Sequence, residues 1–173
     1  MTHAERVRAE VIYQTDPRMP WYVRRYGCRW RSLAMIAELV AGQALTLMQL
    51  LELLDDNRQN ERILTVNLQE GPFMKCGPDE HGIINGAFRL LGAQYHGRQV
   101  GVIDADGDIT MWSPNTWEYQ VIHWSTAGPD GHYSVGDKVG AEILDPFDPE
   151  QADYELTKTE VRRRLLYRVW RRV

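Results

Sequence analysis

The sequence predicts an α+β domain in which N-terminal helices, the first of them headed by Cys28, pack on a C-terminal antiparallel sheet. Two observations carry that expectation. Between Cys28 and Leu91 apolar residues recur at helical spacing in stretches closed by Gly42 and Gly92. From Val100 onward they alternate in short runs separated by turn residues. No internal repeat, low-complexity segment or linker divides the 173 residues, so a single domain over 1–173 is expected, long enough to bury a core without staples.

Residues 1–20 read as a short strand or arm at Val11, Ile12 and Tyr13, followed by turns at Asp16-Pro17 and Met19-Pro20. Tyr22 to Gly27 then reads as a polar turn that ends at Cys28. In the helix that begins there, Ala34, Ala37 and Val40 recur at three-residue steps beside a stripe of Leu33, Ile36 and Leu39. Burial over much of its circumference follows from that spacing. Thr46 suits the N-cap of a second helix over 47–54, which Asp55-Asp56-Asn57 would end. Residues 63–68 alternate weakly and fit a strand or a connection. Gly71-Pro72 and Cys76-Gly77-Pro78 are turn signals, and a third helix is expected from about 79 to 91.

The second half turns to period two. Residues 100–104 and 109–112 around Ala105-Asp106-Gly107 form a hairpin pattern, and 119–124, 132–135 and 141–144 read as further strands, with a turn over 126–131. At the end, Thr157-Lys158-Thr159-Glu160 matches a capping box and Val161, Leu165, Val169 and Val173 recur every four residues. That favours a terminal helix, although Leu165, Tyr167 and Val169 also suit a strand.

Composition narrows the function. A chain 43% hydrophobic and 25% charged is neither disordered nor collagen-like. Cys28 and Cys76 are too few for a disulfide framework, and no CxxC spacing suggests zinc, so no metal or cofactor is expected. Met1 to Glu10 lacks an apolar core, and the apolar runs are too short to span a bilayer. These features predict a cytoplasmic, reducing setting with free thiols, although packaging in a virus particle leaves no mark in a sequence. The net charge is −4, yet residues 161–173 hold six arginines and no acid. Close by stand Glu142, Asp145, Asp148, Glu150, Asp153 and Glu155. A terminal element packed on its own domain is therefore favoured over a nucleic-acid or membrane partner.

Chemistry converges on three residues. A thiol at a helix N-terminus feels the positive end of the macrodipole, and Arg29 and Arg31 add positive charge, which together favour the nucleophilic thiolate at Cys28. An unpaired cysteine is more often a small buried hydrophobe. Further on, a four-residue loop over 137–140 would set Gly136 against Ala141 and place His132 directly opposite Asp145 on one face of a hairpin. A one-residue slip would part them. An imidazole beside a carboxylate is held in one tautomer with its cation stabilised, as a base paired to a nucleophile requires.

A helix-heading cysteine near the N-terminus, Gly131-His132-Tyr133 opening a late strand, and Asp145-Pro146 closing the next one resemble papain-like cysteine peptidases. The type that trims double-glycine bacteriocin leaders is the nearest in pattern, and Val121-Ile122-His123-Trp124 is similar to its apolar strand before the histidine. The likeness runs over about 20–146, leaving 147–173 as a terminal element. It implies Cys28 as nucleophile, His132 as general base, Asp145 as orienter, and a peptide or protein substrate. Two positions depart from the pattern. Tyr22 stands where the family has an oxyanion-binding glutamine, and Arg29 where glycine is common. Gln14 is the only upstream glutamine and thus the sole stand-in, beside the Cys28 backbone N–H. The departures leave a second reading open, a weakened or inactive papain-like fold that serves as a binding or structural protein.

Rivals remain within the chain. Cys76 also precedes a helix. His123 reads as a packed or surface residue, and His81 and His96 as surface. Asp104, Asp106 and Asp108 begin like a calcium loop, but no glutamate follows at the twelfth position, so a hairpin turn explains them better. Of the six tryptophans, Trp21 and Trp30 flank Cys28 and are expected in the core or along a substrate cleft.

Overall fold

The described residues form, in order, helices α1 (His3–Glu10), α2 (Trp21–Tyr26), α3 (Cys28–Ala41) and α4 (Leu47–Gln59), strands β1 (Ile63–Leu68) and β2 (Gly71–Cys76), and helix α5 (His81–Leu90). Strands β3 (Tyr95–Ile103), β4 (Ile109–Met111), β5 (Tyr119–Thr126), β6 (His132–Gly136), β7 (Glu142–Leu144) and β8 (Lys158–Arg171) complete the chain. The structure is a computed structural model and describes residues 1–68, 71–77, 79–112, 116–127, 131–148, 150 and 157–173, except the side chains of 66–68 and 71–73. Pro78, residues 128–130 of the turn after β5, and Asp153 and Glu155 lie outside the described residues. The architecture is α+β, with N-terminal helices on a C-terminal antiparallel sheet ordered β4-β3-β8-β5-β6-β7. Strands β1 and β2 pair separately as an antiparallel hairpin.

Helix α3 is the central element. Eleven of its fourteen residues are buried, which is what apolar stripes on adjoining faces dictate. Gly42 ends it in the left-handed conformation, at φ 68°. Two buried polar links fasten it. Trp30 Nε1 donates to Asn57 Oδ1 of α4 at 2.9 Å. Arg31 pairs with Glu38, both fully buried, and the second Glu38 oxygen accepts from Leu45 N at 2.9 Å while Arg31 Nε donates to Ile12 O at 2.9 Å. The expected free charge of Arg31 near Cys28 is thus neutralised within the helix.

Several elements differ from the sequence reading. Residues 3–10 are helical, because Thr2 accepts from Glu5 N at 3.1 Å while the Glu5 carboxylate accepts from Thr2 N at 2.7 Å. That reciprocal cap holds a first turn that composition alone does not reveal. The turn expected before Cys28 is the short α2, with Gly27 joining it to α3. Helix α4 continues to Gln59 past Asp55-Asp56-Asn57, since Asn57 faces inward onto Trp30 and so belongs to the helix's buried stripe. Residues from Gly71 form strand rather than turn.

The largest correction concerns the C-terminus. Thr157 to Glu160 cap no helix. Instead β8 lies at the middle of the sheet, with Val102 and Val121 on either side of Leu165. A spacing of four is even, so Val161, Leu165 and Val169 share one face of a strand as readily as of a helix. Pairing decides it. A helix here would leave the facing edges of β3 and β5 without ladder partners, whereas β8 satisfies both. The terminal element therefore belongs to the core, and Leu165, Leu166 and Tyr167 are buried. Its arginines are partly engaged on the same domain: Arg162 donates to Ser125, Arg163 to His123 and Tyr133, and Arg164 to Gln120 and the Gly140 carbonyl. Among the described residues no helix is long and apolar enough to cross a membrane.

Candidate active site

Cys28 is the first residue of α3, so its N–H has no acceptor inside the helix. It packs under β6, where His132 is almost fully buried. His132 Nε2 meets Asp145 Oδ1 at 2.7 Å, and the imidazole is also hydrogen-bonded to the Cys28 side chain. With Nε2 taken by the carboxylate, the other ring nitrogen is left for the thiol. Phe147 covers the ring, with centroids 4.6 Å apart. The structure thus brings Cys28, His132 and Asp145 together.

The hairpin reaches this meeting by a different route from the expected one. Asp137 N donates to Ala141 O at 2.9 Å, which makes a three-residue loop over 138–140 rather than a four-residue one. Gly140 sits at φ +94°, and a side chain there would also run into Arg164. Asp137 Oδ1 accepts from the backbone N–H groups of Val139, Gly140 and Ala141 and so fixes the turn. Gly136 then pairs with Glu142, one residue off the expected register. The ladder slips again, so that Val135 pairs with Leu144 and Ile143 is the extra residue of a bulge. Two single slips total two residues, which restores side-chain parity. Asp145 consequently meets His132 from a diagonal position instead of from directly opposite.

Electrostatics at the pair follow from these contacts. Burial works against an imidazolium, yet hydrogen bonds to Asp145 and Cys28 outweigh it and push His132 up to about 9. Burial would raise Asp145, and the His132 and Lys158 hydrogen bonds hold it below the ordinary 3.8. A histidine raised from 6.5 contributes stability that is fully present below about 6.5 and is lost as pH rises through about 9. A depressed carboxylate contributes above 3.8 and fades as pH falls below it. Denaturant unfolding of wild type and His132→Gln should therefore differ most between pH 3.8 and 6.5 and converge above about 9.

A cavity of about 400 Å³ opens beside the thiol. Trp30, Met74 and Cys76 supply buried or partly buried walls, and Tyr26, His123 and Tyr133 add rings. Gly131 lies in the same wall, where a Cβ would stand 2.6 Å from His123 Nε2, so any larger residue would push the His123 ring aside. Cys76 shares the cavity, and burial pushes its thiol up to about 12, away from the thiolate form. His123 is held apart from the His132–Asp145 pair. It stacks on Tyr133 at 4.2 Å, accepts from Arg163 at Nδ1, and is driven down to about 4 by burial and by Arg163.

The two departures from the family pattern have physical accounts. Arg29 pairs with Glu80 at 2.7 Å and lies over the Tyr133 ring, and Glu80 in turn accepts from Tyr167 at 2.9 Å. Its charge is spent on that link rather than on the thiol, which corrects the expected help from Arg29. Tyr22 accepts from Arg58 at 3.1 Å and offers nothing to the site. Gln14 is buried, and its Nε2 donates to the Arg24 carbonyl at 3.1 Å. It does not line the cavity, whereas Cys28, whose N–H has no acceptor within its helix, does.

The remaining candidates lie elsewhere. Trp21 is exposed and packs edge-on against Tyr26, behind the cavity wall to which Tyr26 and Trp30 belong, without lining the cavity itself. His81 is half-buried: its Nδ1 is covered, and it borders a second cavity with Arg29, Glu80 and Trp112. His96 packs on Trp170 at 4.8 Å. Asp104, Asp106 and Asp108 cluster in the β3–β4 turn, where Asp104 Oδ1 accepts from the other two backbone N–H groups, as a turn requires. Lys158 and Glu142 were not singled out for the site by sequence reasoning, although both touch it. Lys158 Nζ lies 2.8 Å from Asp145 Oδ2 and 2.7 Å from each Glu142 oxygen. No local signal marks Lys158, because its place depends on where β8 inserts in the sheet.

No family model, curated protein or solved structure matches this chain.

Proposed function

We propose that this chain is a papain-like cysteine peptidase or amidohydrolase acting on a peptide or related amide bond. The observation that carries the reading is His132 hydrogen-bonded on one side to Asp145 and on the other to a cysteine that heads a buried helix beside a cavity. In the reaction the Cys28 sulfur attacks the carbonyl carbon, the Cys28 N–H steadies the resulting oxyanion, and His132 passes a proton to the leaving amine. Water, deprotonated by His132, then cleaves the thioester and returns the thiol. Asp145 keeps the imidazole in the required tautomer and orientation throughout.

One observation favours a second reading, a binding or structural protein on the same fold. Neither Tyr22 nor Gln14 presents a donor at the cavity, and loss of one oxyanion donor costs about 100- to 1,000-fold in rate. Iodoacetamide alkylation followed cysteine by cysteine separates the two. Cys28 of an enzyme should react at about pH 6, where Cys76 stays inert. A Cys28 that reacts only near its ordinary thiol range, about pH 8.5, would sink the enzyme reading.

A further inference from the structure

Behind the three residues of the proposed mechanism lies a chain of alternating charge that the reaction as written does not use. Asp145 divides its oxygens: Oδ1 takes His132 Nε2 at 2.7 Å and Phe147 N at 2.9 Å, while Oδ2 takes Lys158 Nζ at 2.8 Å. Lys158 in turn holds both Glu142 oxygens at 2.7 Å. Glu142 is held by a further bond, since Ser134 Oγ donates to it at 2.6 Å and accepts from Trp124 Nε1 at 2.9 Å. The lysine ammonium lies 5.4 Å from the Trp124 ring centroid, so its position is set from three sides. Each of Lys158, Asp145 and Glu142 is less than a third exposed, which limits screening by water.

We propose that Lys158 and Glu142 are positioning residues that tune the basicity of His132 through Asp145. Lys158 draws on the same carboxylate that stabilises the imidazolium and thereby weakens it as a partner. Glu142 competes for Lys158 and gives part of that strength back. The order Glu142, Lys158, Asp145, His132 thus alternates in sign, and each member acts on the next. A role confined to packing would have no sign. Other charged groups around the pair are Cys28 on α3, His123 on β5, Arg8 on α1 with its guanidinium on the Ile143 carbonyl, Tyr13, and Asp148 and Glu150 after β7. None of them bridges Lys158 and Asp145.

The inference rests on the proposed function only for naming His132 the base, so its test avoids thiol chemistry. In the full-length Cys28→Ser chain, the His132 Cε1–H resonance is titrated by NMR and assigned by its loss in His132→Gln. Lys158→Met should move the His132 midpoint up by about 0.5 pH unit or more, Glu142→Gln should move it down, and Lys158→Arg should leave it near the parent value. Shifts of the same sign in Lys158→Met and Glu142→Gln, or no shift in either, would overturn the proposal. Glu142→Gln leaves the lysine in place, so it tests the chain by itself if Lys158→Met does not fold. Alkylation of the parent Cys28 is a separate readout, so a dead thiol with opposite-signed shifts refutes the enzyme and keeps the charge chain.

Discussion

Glu38→Ala should lower the unfolding free energy by about 3–5 kcal/mol, the typical cost of stranding one charge of a buried pair. Arg31 would lose its only counter-ion among the described residues while remaining in an interior position, and Leu45 N would lose its acceptor. The pair ties α3 to the loop that leads into α4 and, through Arg31 Nε, to the segment after α1. Because domains of this size are stable by only about 5–15 kcal/mol, such a loss is a large fraction of the whole. The check is a urea melt at constant slope, with the double variant Arg31→Met/Glu38→Leu as control. Removing both charges should recover much of the deficit, since apolar side chains of similar volume can replace a buried pair at little cost. Equal instability of single and double variants would show that packing, not the stranded charge, is what matters.

The second large effect concerns the thiol. His132→Ala should cut alkylation of Cys28 at about pH 6 by about 100-fold or more, in line with what a paired base contributes. The direction follows from the hydrogen bond between imidazole and thiol: with His132 gone, the base that would take the thiol proton is missing. Peptide hydrolysis, if measured with a general substrate, should fall in the same variant, and Cys28→Ala should abolish it. Asp145→Asn should retain the fold but lower the imidazole's affinity for its proton, so the alkaline limb of the rate profile should move down from about 9. Unchanged Cys28 reactivity in His132→Ala would remove the pair from the mechanism. Mass spectrometry of each tryptic cysteine peptide gives the rates, with Cys76 as the internal unreactive reference.

How much of this was legible from residues alone differs by element. Helix α3 was readable because its information is local: apolar residues at steps of three and four, a start at Cys28, and Gly42 where φ turns positive. The α1 cap was equally local, Thr2 followed three residues later by Glu5, but the polar composition of 3–10 concealed it. The meeting of His132 and Asp145 was foreseen through parity. The hairpin register was off by two residues, yet a strand presents the same face after any even slip. Arg29 and Arg31 illustrate the opposite case. Their proximity to Cys28 in sequence suggested an electropositive thiol site, and their partners Glu80 and Glu38 then cancelled the effect.

By itself, the sequence determined the α+β order of elements, the buried helix headed by Cys28, and a hairpin that brings the segments of His132 and Asp145 side by side. All three depend on periodicity and turn chemistry within a few residues. Only the tertiary structure decided that residues 158–171 are the central strand, that Cys28 rather than Cys76 meets the imidazole, and that Lys158 stands behind Asp145. The physical reason is common to these. A four-residue apolar spacing serves helix and strand alike, and long-range pairing with β3 and β5 breaks the tie. Once β8 lies between them, its first residue, Lys158, comes within 2.8 Å of a carboxylate thirteen positions earlier in the chain.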